Sequence, residues 1–444
     1  MPFMPFNILG IWFRGLLSLA IIAGGIYLLT LWYHESHAVV PIRVGPTADA
    51  RGGNSEASDQ DASGAVRTRR VFRFEPGMNR QTAYLAAAIA LLALSVVGGR
   101  VRQAAATVFG GPEPARAEEA GEPFDDRSGE VHSLTRPDGS VLRVECYGPA
   151  DAFPIVMTHG WGCDSTEWFY SKKKLADRFR LVLWDEPGLG LSTKPDNNDY
   201  RLEKLAGDLA AVLAFAGDRA AVLIGHSIGG MITLTLCKVF PELLGPRVAG
   251  LVLAHTSYKN PVRTTKWAAL YTAIEKPVIT PLLYLTIGLW PLVWVMNWLS
   301  YLNGSAHRST HKQSFAGTET RGQLNFFARF MPRSRPDVLA RGMLGMIGYD
   351  ATAILRTIHV PTLVVVGDQD TTTLPEAGEF ICRSVAGAQL AILSPAKHLG
   401  LIEHNGRFNE LVAEFTETCV AAGIALAVGP VKPVGSQASG MDFD

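Results

Sequence analysis

Gly225-His226-Ser227-Ile228-Gly229-Gly230 lies between the apolar run 220–224 and a second apolar run, 231–240. A buried strand that turns directly into a helix accounts for this pattern, with a serine on the turn. Glycine two residues before and two after the serine removes Cβ atoms that would collide in so tight a turn, and the hydroxyl is held clear of the sheet edge. The motif alone is weak, because a chain with 44 glycines in 444 residues can carry a Gly-x-Ser-x-Gly as an ordinary turn. The sequence around it has to supply partners for the serine.

Apolar residues make up 48% of the chain and charged residues 18%, with 41 basic side chains against 41 acidic ones. Such a chain forms a large core and has no cationic excess for a polyanion, so nucleic acid is not an expected partner. The five cysteines, Cys146, Cys163, Cys237, Cys382 and Cys419, show no Cys-x-x-Cys spacing and read as reduced packing thiols.

Toward the N-terminus, residues 15–33 carry no charge and end in Trp32-Tyr33, a stretch long enough to span a bilayer with aromatic rings at the headgroups. A cleaved signal peptide fits less well, because Trp32-Tyr33-His34-Glu35 lacks a small-residue cleavage pattern. A second run, 82–99, is closed by Arg100 and Arg102 and reads as another span, with a buried helix as the alternative. Between the two, 51–64 is small, polar and aperiodic. The expected organisation is a first transmembrane helix region (1–33), a flexible polar loop (34–81), a second transmembrane helix (82–102) and a linker (103–127). A globular core (128–257 and 346–424) follows, interrupted by a cap (258–345), and a flexible tail (425–444) ends the chain. The expected localisation is the membrane, through the N-terminal anchor. Arginines in the loop favour a cytoplasmic loop and the free cysteines a cytoplasmic body, so the side is left open.

Within the body, 130–135 and 140–147 flank Arg136-Pro137-Asp138-Gly139 and are expected to pair as a hairpin. Short apolar runs follow at 154–158, 180–184, 220–224, 249–255, 361–367 and 389–393, as in strands covered on both faces. Helix-like stretches at 166–177, 202–215, 231–240 and 408–420 separate several of them. The alternation implies right-handed crossovers and a mostly parallel sheet that binds ligands at the carboxyl ends of its strands. Three stretches fall at such ends. His159-Gly160-Trp161-Gly162 can present backbone N–H donors to an oxyanion, and the groups expected to do so are those of Trp161 and Ile228. Asp368 and Asp370 compete as the carboxylate that orients a histidine. His398 completes the chain order Ser, Asp, His, with His404 and His255 as fallbacks and His226 adjacent to the serine.

From about residue 129 to 423 the chain resembles the α/β-hydrolase fold superfamily, serine-nucleophile branch. The resemblance is carried by His159-Gly160, by Asp185-Glu186-Pro187-Gly188-Leu189-Gly190-Leu191-Ser192, by the elbow, by 361–370 and by His398 with Glu403. It implies an α/β fold with a mostly parallel sheet, helices on both faces and a helical cap, and it makes Asp370 the acid of a Ser227, Asp370, His398 triad. Lys397 and Asn405 depart from the glycine and proline usual around the histidine, and Glu186 stands where arginine is common. The implied chemistry is hydrolysis of an ester, thioester or amide through an acyl-enzyme, without metal or organic cofactor. Perhydrolysis, acyl transfer and a non-catalytic binding role are the alternatives.

About a hundred residues separate His255 from Pro361. Within them, 278–302 is uncharged and includes Trp290, Trp294 and Trp298, a four-residue spacing that lines one helical face. A true span here would separate Ser227 from His398. The run is therefore expected to be helices broken near Pro281 and Pro291 that pack over the site, or a cap surface dipping into one leaflet. The three tryptophans are the expected substrate-binding residues, for a small, lipophilic acyl substrate, and membrane lipid is the expected second partner.

Overall fold

A computed structural model of the chain describes residues 8–43, 66–77, 79–109 and 121–421. Helix α1 (Ile8–Ser36) leads into a two-stranded antiparallel ribbon of β1 (His37–Arg43) and β2 (Val66–Phe72), and α2 (Arg80–Phe109) runs back beside α1. The ends of the loop expected over 34–81 are thus paired strands, while 51–64 and the tail 425–444 lie outside the described residues. Ile8–Ser36 and Arg80–Gly99 are each long and apolar enough to cross a membrane.

The body is an eight-stranded sheet in the order β10-β9-β8-β7-β5-β6-β4-β3. Its strands are β3 (Glu130–Thr135), β4 (Val141–Tyr147), β5 (Phe153–Thr158), β6 (Phe179–Trp184), β7 (Ala221–His226), β8 (Val248–Ala254), β9 (Thr362–Gly367) and β10 (Gln389–Leu393). Pairing is parallel from β6 through β10 and antiparallel where β4 joins β6 and β3 joins β4. The β3–β4 turn forms where expected, with Gly139 at a φ of +79° that other residues avoid. Every residue of β7, β8 and β9 is buried, since helices cover both faces: α4 (Leu202–Phe215) and α5 (Ile228–Val239) enclose one core cluster, α3 (Phe169–Leu175) and the C-terminal helix the other.

Between β8 and β9 lies the cap: α6 (Ala268–Ile274), a π-helical turn at Glu275–Ile279, α7 (Thr280–Gly288), α8 (Trp290–Leu302), α9 (Ser305–Ser314), α10 (Arg321–Ala328), α11 (Phe330–Arg333) and α12 (Pro336–Ile347). α13 (Pro375–Ser384), α14 (Gly400–Glu403) and α15 (Asn405–Ala421) complete the fold. The apolar cap run breaks before Pro291, where Ala268–Gly288 and Trp290–Leu302 meet at 97°. It does not break at Pro281, which sits in the first turn of α7, where its missing N–H is harmless.

Two expectations need correction. The linker assigned to 103–127 is not a spacer throughout: α2 continues to Phe109, and residues 122–127 are seated on the body. Phe124 meets the Phe169 ring edge-on, Asp125 pairs with Arg329 and Arg333, and Arg127 pairs with Glu145, Asp164 and Asp185. The tryptophan face of α8 does not turn inward. Val293, Met296, Asn297 and Ser300 form its buried face, whereas Trp294 and Trp298 are exposed and Trp290 lies half-buried under the Arg335 guanidinium. The inward face belongs to the smaller residues because α1 docks there, its Gly15 leaving room for Met296.

Candidate active site

β7 ends between β5 and β8, with Gly225 beside Thr158 and His226 beside Ala254. Ser227 follows with φ +55° and ψ −115°, an arrangement uncommon outside glycine that is maintained by surrounding backbone contacts. Its N–H donates to Ala254 O at 2.9 Å, and its carbonyl accepts from Gly230 N at 3.0 Å and Thr256 Oγ1 at 2.6 Å. The two elbow glycines are sterically required. A Cβ on Gly225 would overlap the Gly229 carbonyl, and one on Gly229 would overlap the carbonyls of Thr158 and His159. The elbow therefore lies directly against the start of the His159-Gly160-Trp161 loop. Ile228 opens α5, where the first N–H groups have no intrahelical acceptor. The Trp161 ring is fixed by its Nε1 donating to Leu339 O at 3.1 Å.

The two aspartates after β9 separate by partner. Asp370 Oδ2 lies 2.7 Å from His398 Nδ1, and its oxygens also accept from Thr372 N, Thr373 N and Thr373 Oγ1. Asp368 instead accepts from Ala396 N and Ser394 Oγ, bracing the loop that carries the histidine. His398 Nε2 is 3.0 Å from Ser227 Oγ. Ser227, Asp370 and His398 are thus one hydrogen-bonded chain, none more than 2% exposed. The departures flanking the histidine leave this geometry intact. Lys397 donates its N–H to Glu403 and its ammonium to Lys312 O, while Asn405 starts α15. Glu403 also accepts from Ala316 and Thr318, tying the histidine loop to the cap.

Burial pushes His398 down to about 3, against the pull of Asp370. Asp370 is held well below the usual carboxylate range. Burial opposes this, but the charge His398 takes on when protonated, together with ring N–H donors, outweighs it. Of the fallback histidines, His404 bonds Pro395 O on the surface, and His255 has its Nδ1 3.7 Å from Asp370 with no hydrogen bond to the serine. Sequence reasoning missed a buried pair, Glu167 and His226, 2.8 Å apart next to the serine. Nothing in the sequence links residues so far apart. Among the described residues, no cluster of three or more His, Cys, Asp or Glu is placed to hold a metal ion.

A strand–serine–helix elbow on a mostly parallel sheet, with an acid and a histidine delivered by the following strand ends, defines a hydrolase of the α/β class. A family model described as alpha/beta hydrolase fold matches residues 154–405, over half the chain, and the chain belongs to that family as a hydrolytic enzyme. It is similar to 3-oxoadipate enol-lactonase 1 of Acinetobacter baylyi, 26% identical over 291 residues that cover 65% of this chain and 98% of the relative. It is also similar to a pimeloyl-[acyl-carrier protein] methyl ester esterase of Neisseria meningitidis, 24% identical over 269 residues covering 59% and 93%. Among solved structures, a thermophilic esterase from Thermogutta terrifontis shares the fold with a TM-score of 0.54 at 23% identity, covering 65% of this chain and 99% of that one.

Proposed function

We propose that the protein is a membrane-anchored serine hydrolase that cleaves a carboxylic ester, or a related thioester or amide, of a lipophilic substrate. The observation that carries this reading is the chain of short hydrogen bonds from Ser227 Oγ through His398 to Asp370. In it, His398 removes the Ser227 proton as the oxygen attacks the acyl carbon, and Asp370 fixes the tautomer and offsets the charge that the ring acquires. The N–H groups of Trp161 and Ile228 stabilise the tetrahedral oxyanion, the alcohol leaves with the proton from His398, and water activated by the same ring releases the acid. The named activities of the relatives, an enol-lactonase and a methyl ester esterase, are both ester cleavages and support this class.

Membrane attachment is supported by the two long apolar helices. A lipophilic substrate is supported by the outer face of the bent α7–α8 pair, where Tyr284, Leu285, Leu289, Leu292, Trp294, Val295 and Trp298 are exposed beside α1, itself apolar nearly all round. In this reading that face meets the lipid that surrounds α1 and α2. The tryptophans then act at the bilayer rather than as pocket walls.

The test uses the full chain in detergent with a fluorophosphonate probe and p-nitrophenyl esters of increasing chain length. The expected result is covalent labelling that disappears in Ser227→Ala, and ester turnover that falls by about three orders of magnitude or more in Ser227→Ala and His398→Ala. Labelling at another residue, or undiminished turnover in Ser227→Ala, would sink the assignment. A preference for acetyl over long-chain esters would remove the lipophilic part alone.

A further inference from the structure

We propose that His226, the residue before the nucleophile, is a fixed imidazolium which, paired with Glu167, holds the His398 loop in place and keeps His398 in its basic form. This positioning role builds on the ester-hydrolase reading. The charge state follows from the hydrogen-bond geometry together with the ionised form of Glu167. His226 Nδ1 lies 2.8 Å from Glu167 Oε1, and Nε2 lies 3.1 Å from the His398 carbonyl oxygen. A carboxylate and a carbonyl can only accept, whereas a neutral imidazole has a single N–H and would turn a lone pair toward one of them. With Glu167 ionised, only the doubly protonated ring satisfies both. The Gly160 N–H donates to Glu167 Oε2 at 2.7 Å, a further donor that favours the carboxylate. Burial opposes an ionised Glu167, yet the His226 charge and hydrogen bond hold it below the ordinary carboxylate range.

The pair connects the three loops that the reaction needs. Gly160 belongs to the loop bearing the Trp161 N–H, His226 ends the strand that delivers Ser227, and the accepted carbonyl is the backbone of His398 itself. All three residues are buried. The ring centres of His226 and His398 are 5.2 Å apart. The other titratable groups around the pair are His159 and Cys163 on the oxyanion loop, Glu186 at the end of β6, His255 at the end of β8 and Asp370 after β9. A positive charge held at that distance opposes a second one on His398, in the same direction as burial, and so preserves the free base at mildly acid pH.

Histidine-labelled full-length protein in detergent tests the charge state by 15N ring spectra, with His226 assigned by the signal lost in His226→Gln. Two protonated nitrogens at pH 7 are expected, and one bare nitrogen overturns the proposal. The functional arm compares the pH profile of kcat/KM on a short p-nitrophenyl ester for wild type, His226→Gln, Glu167→Gln and Glu167→Asp. Loss of the cation should move the acid limb upward by roughly half a pH unit or more in His226→Gln and Glu167→Gln. Glu167→Asp should recover part of that shift. A fall in kcat that is equal at every pH, with the limb unmoved, would reduce the pair to packing and overturn the tuning role. Should the wild-type protein cleave no ester, the hydrolase reading fails while the ring spectrum still decides the charge of His226.

Discussion

Glu186 shows how far one residue can depart from its family without disturbing the site. Both of its carboxyl oxygens are buried and neither has a hydrogen-bond partner, so burial pushes the group up to about 8 and it stays protonated at neutral pH. Its backbone N–H donates to His159 Nε2 at 3.0 Å, while His159 Nδ1 donates to Gly160 O at 2.9 Å, so the oxyanion loop is braced by the main chain of Glu186 and not by its carboxylate. The cation absent at this position is supplied from elsewhere. Arg127 reaches Asp185 and Asp164 from the segment before β3. Because the folded state holds the Glu186 proton more tightly than the unfolded chain, stability falls as pH rises from the ordinary glutamate value toward about 8. Glu186→Gln removes that loss. Its unfolding midpoint in denaturant should match wild type near pH 5 and exceed it at pH 8.5, reflecting an unfolding free energy higher by on the order of a few kcal/mol. Equal midpoints at pH 8.5 would mean that the carboxyl finds a partner or water when it ionises.

Among the elements, the elbow tolerates least. On Gly229 a methyl group would meet two carbonyl oxygens of β5 and the loop after it, and neither strand can move without opening the centre of the sheet. Gly229→Ala is expected to lower the thermal midpoint sharply, with a cost of about 3 kcal/mol or more, and to abolish fluorophosphonate labelling in whatever folds. Unchanged midpoint and labelling would show that the elbow has more slack than these contacts allow. The elbow, the strands and the Ser, Asp, His order were legible because each is a local pattern: a glycine spacing, a continuous apolar run, a polar residue at its end. The choice between Asp368 and Asp370 came from family resemblance; nothing in the spacing of the two residues decides which faces the ring. The outward turn of Trp294 and Trp298 was not legible either. A stripe of tryptophan fits a core or a lipid surface equally well, and the packing of α8 against α1, α11 and α12, with Gly15 against Met296, decides which of its faces is inside. Seating of residues 122–127 was hidden for a similar reason, since ion pairs between Asp125 and Arg329 or Arg333 join positions that no periodicity connects.

At the scale of the whole molecule, α1 and α2 form a hairpin whose two ends meet different things. Near its start α1 is bonded to the cap, through Trp12 to Thr286, Arg14 to Ser309 and Ser18 to Asn303, and α2 returns to the same place with Gly98 and Gly99 against residues 301–304. At the other end the helices are joined by Gln81 to the Glu35 carbonyl, and the ribbon of β1 and β2 packs Phe72 on Trp32. A helix the length of α1 spans about 43 Å, more than the hydrocarbon thickness of a bilayer. If the hairpin crosses the membrane, ribbon and body must therefore face opposite compartments. Single cysteines report this cleanly, because four of the native thiols are buried and only Cys382 is partly open, so Cys382→Ser provides the background. In that background Thr68→Cys on the ribbon and Asp177→Cys on the body, both exposed positions, should react with a membrane-impermeant maleimide from opposite sides of sealed vesicles. Whichever site is shielded in vesicles of one orientation should be the one labelled in inverted vesicles. If both react from the same side, the hairpin does not cross the membrane but lies along its surface or off it.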